Sequence, residues 1–221
     1  MKIDEICEEF DPYQLHNLQN PSSKEVTAVK KVARLAEIIE KNCAEMLSAY
    51  RSSGKVLYRG MHSTDDAVVT RIRPNRKAVQ MNNDFHDALH QGFIAAGLTA
   101  TRTNSIFCTA NKHVASSWGS DVYVIFVKDG WSGTIFTHIK NDYAFYTMYD
   151  IARSYVCSSA PNMKSFVSDI KREGAKNFST ANELSNILFD SYYDILITGD
   201  SYIAVKCNSK LYGKLIKKLD I

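Results

Sequence analysis

The sequence predicts an α+β protein: a helical N-terminal segment over 1–52, then a body of short, mostly antiparallel strands and helices over 53–221, one domain overall. Three observations carry this. Apolar residues recur at helical spacing through 22–50. After Gly54 the chain changes to short runs rich in β-formers. Between those runs lie stretches with helical periodicity, and the 221 residues include only four prolines to interrupt them.

Ser22 and Glu25 have capping-box spacing, and Val29, Val32, Leu35, Ala36, Ile39, Cys43, Met46, Leu47 and Tyr50 then form one apolar stripe, so 22–50 reads as a single long helix that ends before Gly54. Residues 55–60 (KVLYRG) read as a strand, and 84–96 as a helix with Phe85, Leu89, Phe93 and Ala96 on one face. A strand is expected over 104–109 (NSIFCT), then a short helix over 111–118 with Asn111 as N-cap. Strands follow at 122–127 (VYVIFV) and 134–139 (TIFTHI), on either side of Asp129-Gly130. Helices are expected over 161–173 and 181–190. DILITGDSYIAV (194–205) reads as two strands of a hairpin closed at Gly199-Asp200, and a basic helix over 209–219 ends the chain.

Composition narrows the function. A net charge of +3 is too weak to make nucleic acid the main expected partner. The longest strongly apolar run is Val122–Val127, far short of a bilayer span, so no membrane partner is expected. The N-terminus MKIDEICEEFD is acidic and does not read as a secretory signal. Five scattered cysteines without a CxxC fit reduced thiols and a cytoplasmic setting rather than a zinc site. Twelve tyrosines and ten phenylalanines hint at a surface that stacks on flat rings.

No phosphate loop, dinucleotide fingerprint, nucleophile elbow or zinc-protease motif occurs. His86 and His90 share a helix face at metal-ligand spacing, but they lack a convincing acidic partner, and no metal is expected. Three segments remain. LYRGMHS (57–63) puts the Arg59 fork at a strand end beside Gly60, a position that suits a phosphate or a surface ion pair. TRTNSIFCTANKHVASSWG (101–119) puts Ser105 and Thr109 on either side of Phe107, where hydroxyls and a ring could hold a ribose and stack a heterocycle, or where Phe107 is core. SYYDILITGDSYIAV (191–205) puts Asp194 at a strand mouth, where a carboxylate could stabilise a developing sugar cation or simply face solvent. Arg71, Arg73, Arg76 and Lys77 form a basic cluster that reads as a solvated loop, and the lysines of 210–218 as a solvated helix face.

The order of these segments resembles the mono-ADP-ribosyltransferase superfamily of the arginine–serine–glutamate type, and within it small phage-encoded proteins, over about residues 55–206. The resemblance implies a split mixed β-sandwich with a helical N-terminal segment. It also implies NAD as substrate, transfer of ADP-ribose to a host protein or nucleic acid through an oxocarbenium-like transition state, and work in the host cytoplasm. On this resemblance Arg59 takes the arginine that contacts NAD phosphate and ribose, and Gly60 its neighbouring glycine. Ser105, Phe107 and Thr109 fall on the Ser-Thr-Ser strand, Ala115 and Gly119 on the small residues after it, Asp194 on the catalytic glutamate, and Tyr192 two residues ahead, where protein-directed members carry Gln or Glu. Catalysis is thereby assigned to Asp194, Arg59 and Ser105, and NAD binding to Arg59, Gly60, Ser105, Phe107, Thr109 and Tyr192. Phe107, Tyr143, Tyr146 or Tyr149 is expected against nicotinamide.

The chain departs from the pattern twice. SIFCT is not Ser-Thr-Ser, so Ser105 and Thr109 both stand for the serine. The acid is Asp, shorter than Glu by about 1.5 Å, and a misplacement of ~1 Å can cost on the order of a hundredfold in rate. Glu183 is the nearest glutamate, in a helical stretch. The expectations are therefore an active transferase, a catalytically weakened relative that binds a nucleotide or a protein, or an interaction protein working through an exposed stripe on 22–50.

Overall fold

A computed structural model describes residues 24–77, 81–138, 143–189 and 194–221, with the side chains of 24–29 and 143–145 left aside. Ser22, Tyr192, Cys7 and the side chain of Tyr143 lie outside the described residues.

The N-terminal stripe folds as two helices, α1 (Lys24–Asn42) and α2 (Ala44–Ser53), where one was expected. Cys43 leaves the helical region at φ −130°, ψ 34°. The side chain of Asp129, far along the chain, accepts from Ala44 N at 3.0 Å and Glu45 N at 2.9 Å. A carboxylate on two free N–H groups starts a second helix as an N-cap does. Gly54 closes α2 in the left-handed region at φ 64°, where its N–H donates to the Tyr50 carbonyl.

Among the described residues eight strands follow: β1 (Tyr58–Met61), β2 (Ala67–Arg71), β3 (Ile106–Thr109), β4 (Asp121–Val127), β5 (Ser132–Phe136), β6 (Ala175–Phe178), β7 (Asp194–Thr198) and β8 (Ser201–Lys206). The helices between and after them are α3 (Asn83–Ala95), α4 (Lys112–Ser116), α5 (Tyr143–Val156), α6 (Met163–Arg172), α7 (Ala181–Phe189) and α8 (Lys210–Leu219). The protein is thus α+β, and its sheet runs β2-β8-β4-β1-β3-β7-β5-β6. Every described pair is antiparallel, where a mixed sheet was expected.

The sheet is two four-stranded halves joined at one point. β1 pairs with β4 through four positions, Tyr58 to Met61, but with β3 only at Tyr58↔Thr109. The expected hairpin at 194–205 does not form: β7 pairs with β3 and β5, while β8 pairs with β2 and β4. Gly199-Asp200 is a corner from one half to the other, and the turn after β4 is a second, since β5 pairs with β6 and β7. The corners are tied together, with Lys128 N donating to the Ser201 carbonyl at 3.0 Å and Ile72 N to Asp200 at 2.9 Å. The cause lies in the strands themselves. Nearly every residue of β7 and β8 is buried, so each needs a partner on both edges and cover on both faces.

Both halves contribute to one core: Val124, Phe126, Ile203 and Val205 from the first, Ile106, Cys108, Ile195 and Ile197 from the second, with Leu35, Ile39, Met46 and Tyr50 of α1 and α2. Tyr50 Oη donates to the Ile125 carbonyl. The stripe on α1 and α2 is therefore core, not an exposed working surface. A second cluster joins Leu89 and Phe93 of α3, Met148 and Ala152 of α5 and Phe166 and Ile170 of α6 to Phe136 and Leu196. Among the described residues no helix is long and apolar enough to cross a membrane.

Candidate functional site

The site lies where the halves part. Directly opposed residues of an antiparallel pair project to the same face. Thr109 opposes Asp194 and Phe107 opposes Leu196, so Phe107, Thr109 and Asp194 share one face of β3 and β7. Asp194 is buried, at 9% exposure. It lines a cleft with Phe107, Leu196, Phe93, Arg102, Phe136 and Met148.

Arg59 comes from across the split. Arg59 opposes Tyr123 on β4 and lies outside the set of residues that line the Asp194 cleft. Its charge reaches the Cys108 thiol, which burial nevertheless pushes up to about 12. Because β1 and β3 diverge past their single pair, no described β1 residue pairs with Phe107, although Leu196 pairs with it on the other edge. Arg59 Nη1 donates to the Phe107 carbonyl at 2.7 Å. Gly60 and Gly119 set how closely α4 and its following turn approach β1: a Cβ on Gly60 would lie 2.3 Å from the Ala115 carbonyl oxygen, and one on Gly119 would lie 2.4 Å from Met61 N. Ala115 and Gly119, with Gly60, are thus the small residues of one backbone crossing. Asn111 caps α4 as expected, accepting from His113 N at 2.9 Å.

Two further guanidiniums converge on Phe107. Arg76 Cζ lies 5.3 Å and Arg102 Cζ 5.0 Å from the centre of its ring, both within cation–π range. The loop carrying Arg76 is fixed by its own amide, which donates to the Thr103 carbonyl at 2.8 Å. Burial, then the Arg59 charge, lowers Arg76 below the ordinary arginine range, while nearby Tyr202 pulls the other way. Burial, then Arg76, brings Arg102 down to about 10, against the opposing pull of Asp194. Arg59 Nε and Arg76 Nη1 are buried without a hydrogen-bond partner among the described residues. Arg71, Arg73 and Lys77 are exposed, as a solvated loop should be, but Arg76 is turned into the protein. Arg102 carries no signal in the sequence, since it sits in a polar turn and reaches Phe107 only because that turn folds back over β3.

The remaining expected residues have local roles. Ser105 is buried, and its hydroxyl donates to the Thr101 carbonyl, closing the 101–105 turn. Thr109 Oγ1 accepts from Asn111 N at 3.2 Å. Met148, rather than Tyr146 or Tyr149, lines the cleft; Tyr146 is exposed and Tyr149 meets Phe85 edge-on at 5.2 Å. Glu183 completes a capping box on α7: it accepts from Ser179 N at 2.9 Å and Thr180 N at 3.1 Å, while Glu183 N donates to Thr180 Oγ1 at 3.2 Å. Those bonds lower its pKa and account for its charge without a site. His86 is buried beside Asp87, and His90 lies 3.0 Å from both the Thr101 and Thr103 hydroxyls. No cluster of three or more His, Cys, Asp or Glu suited to a metal occurs among the described residues.

Comparison with protein-family models, with curated proteins and with solved structures finds no match to this chain.

Proposed function

We propose that the protein is an NAD-dependent mono-ADP-ribosyltransferase acting at the split between β1 and β3. One observation carries the reading: Asp194 lies in one cleft with Phe107, and Arg59, Arg76 and Arg102 gather round Phe107. Breaking the bond between nicotinamide and ribose develops positive charge on the sugar. A buried carboxylate beside that carbon lowers the barrier because its effect is greatest as the charge appears. Asp194 has that role. The guanidiniums hold the phosphates, and Phe107 forms a wall against which a flat group lies. Thr109, opposed to Asp194, is the better placed hydroxyl, since Ser105 already serves the 101–105 turn.

The donor set suits a phosphate-bearing substrate: Arg59 Nε and Arg76 Nη1 are buried without a partner among the described residues, and unmade buried hydrogen bonds are costly. The cleft is narrow, about 10 Å³, whereas small-molecule sites usually enclose about 300–1,000 Å³. Substrate entry therefore requires the residues lining the cleft to move apart.

The test is nicotinamide release by Asp194→Ala. The variant is expected to bind NAD within about threefold of wild type and to release nicotinamide on the order of a hundredfold more slowly. Equal release by the two proteins would reject the assignment. The narrow cleft and the short acid also favour a second reading, a weakened relative that holds a nucleotide without turning it over. NAD binding with no nicotinamide release from wild type would select it. Labelled NAD in a cell lysate, followed by protease or nuclease digestion, identifies whether a protein or a nucleic acid accepts the ADP-ribose.

A further inference from the structure

We infer that Arg76, carried on the loop after β2, is a phosphate-binding residue, and that Arg76, Arg102 and Arg59 clamp a pyrophosphate group beside Phe107. The inference deepens the transferase reading and rests on it for the identity of the natural ligand, but it is made from the guanidiniums alone. Three like charges gather around one ring, an arrangement that repels itself unless something negative lies between them. Arg76 feels Arg59 and Arg73 as well as Arg102 feeling Arg76, so the repulsion is mutual and local. Asp194 offsets part of the Arg102 charge, and Tyr202 acts the same way on Arg76.

The donors point the same way. Arg59 gives Nη1 to the Phe107 carbonyl and keeps Nε buried without a partner among the described residues. Arg76 keeps Nη1 in the same condition. Both are tied to the backbone framework, Arg59 by a strand paired through four positions and Arg76 by its amide on the Thr103 carbonyl. Planar forks held in place recognise phosphoryl oxygens in pairs, which a flexible lysine does not. Two guanidiniums over one ring, with a third bonded to that residue's carbonyl, match two linked phosphoryl groups better than one.

The experiment is titration calorimetry of the full chain with inorganic pyrophosphate, with a single-stranded oligonucleotide as the alternative source of phosphate. Wild type is expected to bind pyrophosphate. Arg76→Gln is expected to weaken that binding by about ten- to a hundredfold, as loss of a charge-assisted hydrogen bond does. Arg76→Lys should restore only part of it, and Arg73→Gln, on the exposed side of the same loop, should leave it within about twofold. Thermal unfolding of each variant establishes that it is folded. Absence of pyrophosphate binding by wild type, unchanged binding in folded Arg76→Gln, or binding of the oligonucleotide alone would each overturn the inference. Pyrophosphate binding lost in Arg76→Gln, with no nicotinamide release by wild type, would support the clamp and remove the transferase reading. Nicotinamide release that Arg76→Gln leaves untouched would keep the transferase and remove the clamp.

Discussion

Replacing Gly60 with alanine tests the crossing on which the site is built. The new Cβ would lie 2.3 Å from the Ala115 oxygen, 2.7 Å from Gly119 N and 2.8 Å from the Trp118 carbonyl carbon. Comfortable heavy-atom contact is about 3.5 Å or more, so the backbones must separate by about 1 Å. All three atoms are backbone, and no rotamer change relieves them. Overpacking typically costs about 1–3 kcal/mol, and a contact between two main chains belongs at the upper end. Alanine in place of glycine returns about 0.4–1 kcal/mol through the unfolded chain. The net loss is about 2 kcal/mol, a fall in Tm of about 4–8 °C for a protein of this size. Calorimetry or a urea midpoint measures it. Gly119→Ala should cost about as much, because it strikes Met61 N from the other side, and the double variant should cost less than both together since one separation relieves both. A Gly60→Ala protein with an unchanged or higher Tm would refute the close approach.

Other expectations follow from burial and charge. Gly213 lies in α8 with open space around its missing Cβ; Gly213→Ala should stabilise by about 0.5–1 kcal/mol, read as a rise in Tm. Burial holds the His86 pKa below the usual histidine value, so the native state binds fewer protons there than the unfolded chain. Its contribution is retained above the unfolded pKa of about 6.5 and lost as pH falls from there toward the lowered folded value. Urea midpoints at pH 5.5 and 7.5 should differ more in wild type than in His86→Gln, and equal differences would contradict the assignment. Burial also pushes Cys43 and Cys108 up to about 12 and Cys207 to about 11, whereas Cys157 is exposed. A thiol reagent at pH 8 should label Cys157 before Cys207 and reach Cys43 and Cys108 only after unfolding, as peptide mapping can follow.

What the sequence revealed depended on whether a signal was local. VYVIFV and ILIT announce themselves because they are continuous apolar runs, and they are central strands. β2 (AVVTR) and β6 (AKNF) escaped because they are the two edges of the sheet, each with one partner and no fully buried face. The break at Cys43 was invisible because its cause, Asp129, lies 84 residues beyond Glu45, whose amide it accepts from. Gly199-Asp200 looked like a hairpin because turn chemistry is local, whereas the choice of partners belongs to the sheet. In the site, Arg59, Phe107, Thr109 and Asp194 were legible as residues at strand ends. Arg76 was read as solvent-facing, and Arg102 was passed over, because only the folding of two loops over β3 brings them to Phe107.

The remote cap on α2 has a consequence for biosynthesis. Asp129 N also donates to the Asn42 carbonyl at 2.7 Å, so one residue closes the end of α1 and opens α2. At about 5–20 residues per second, the ribosome makes Asp129 some 4–17 s after Glu45, which lies 84 residues earlier. During that interval Leu35, Ile39, Met46 and Tyr50 lack their cap, and β7 and β8, which share their core, are made later still. Docking of the two helices is therefore a late event that waits for the corner behind β4 and for β7 and β8.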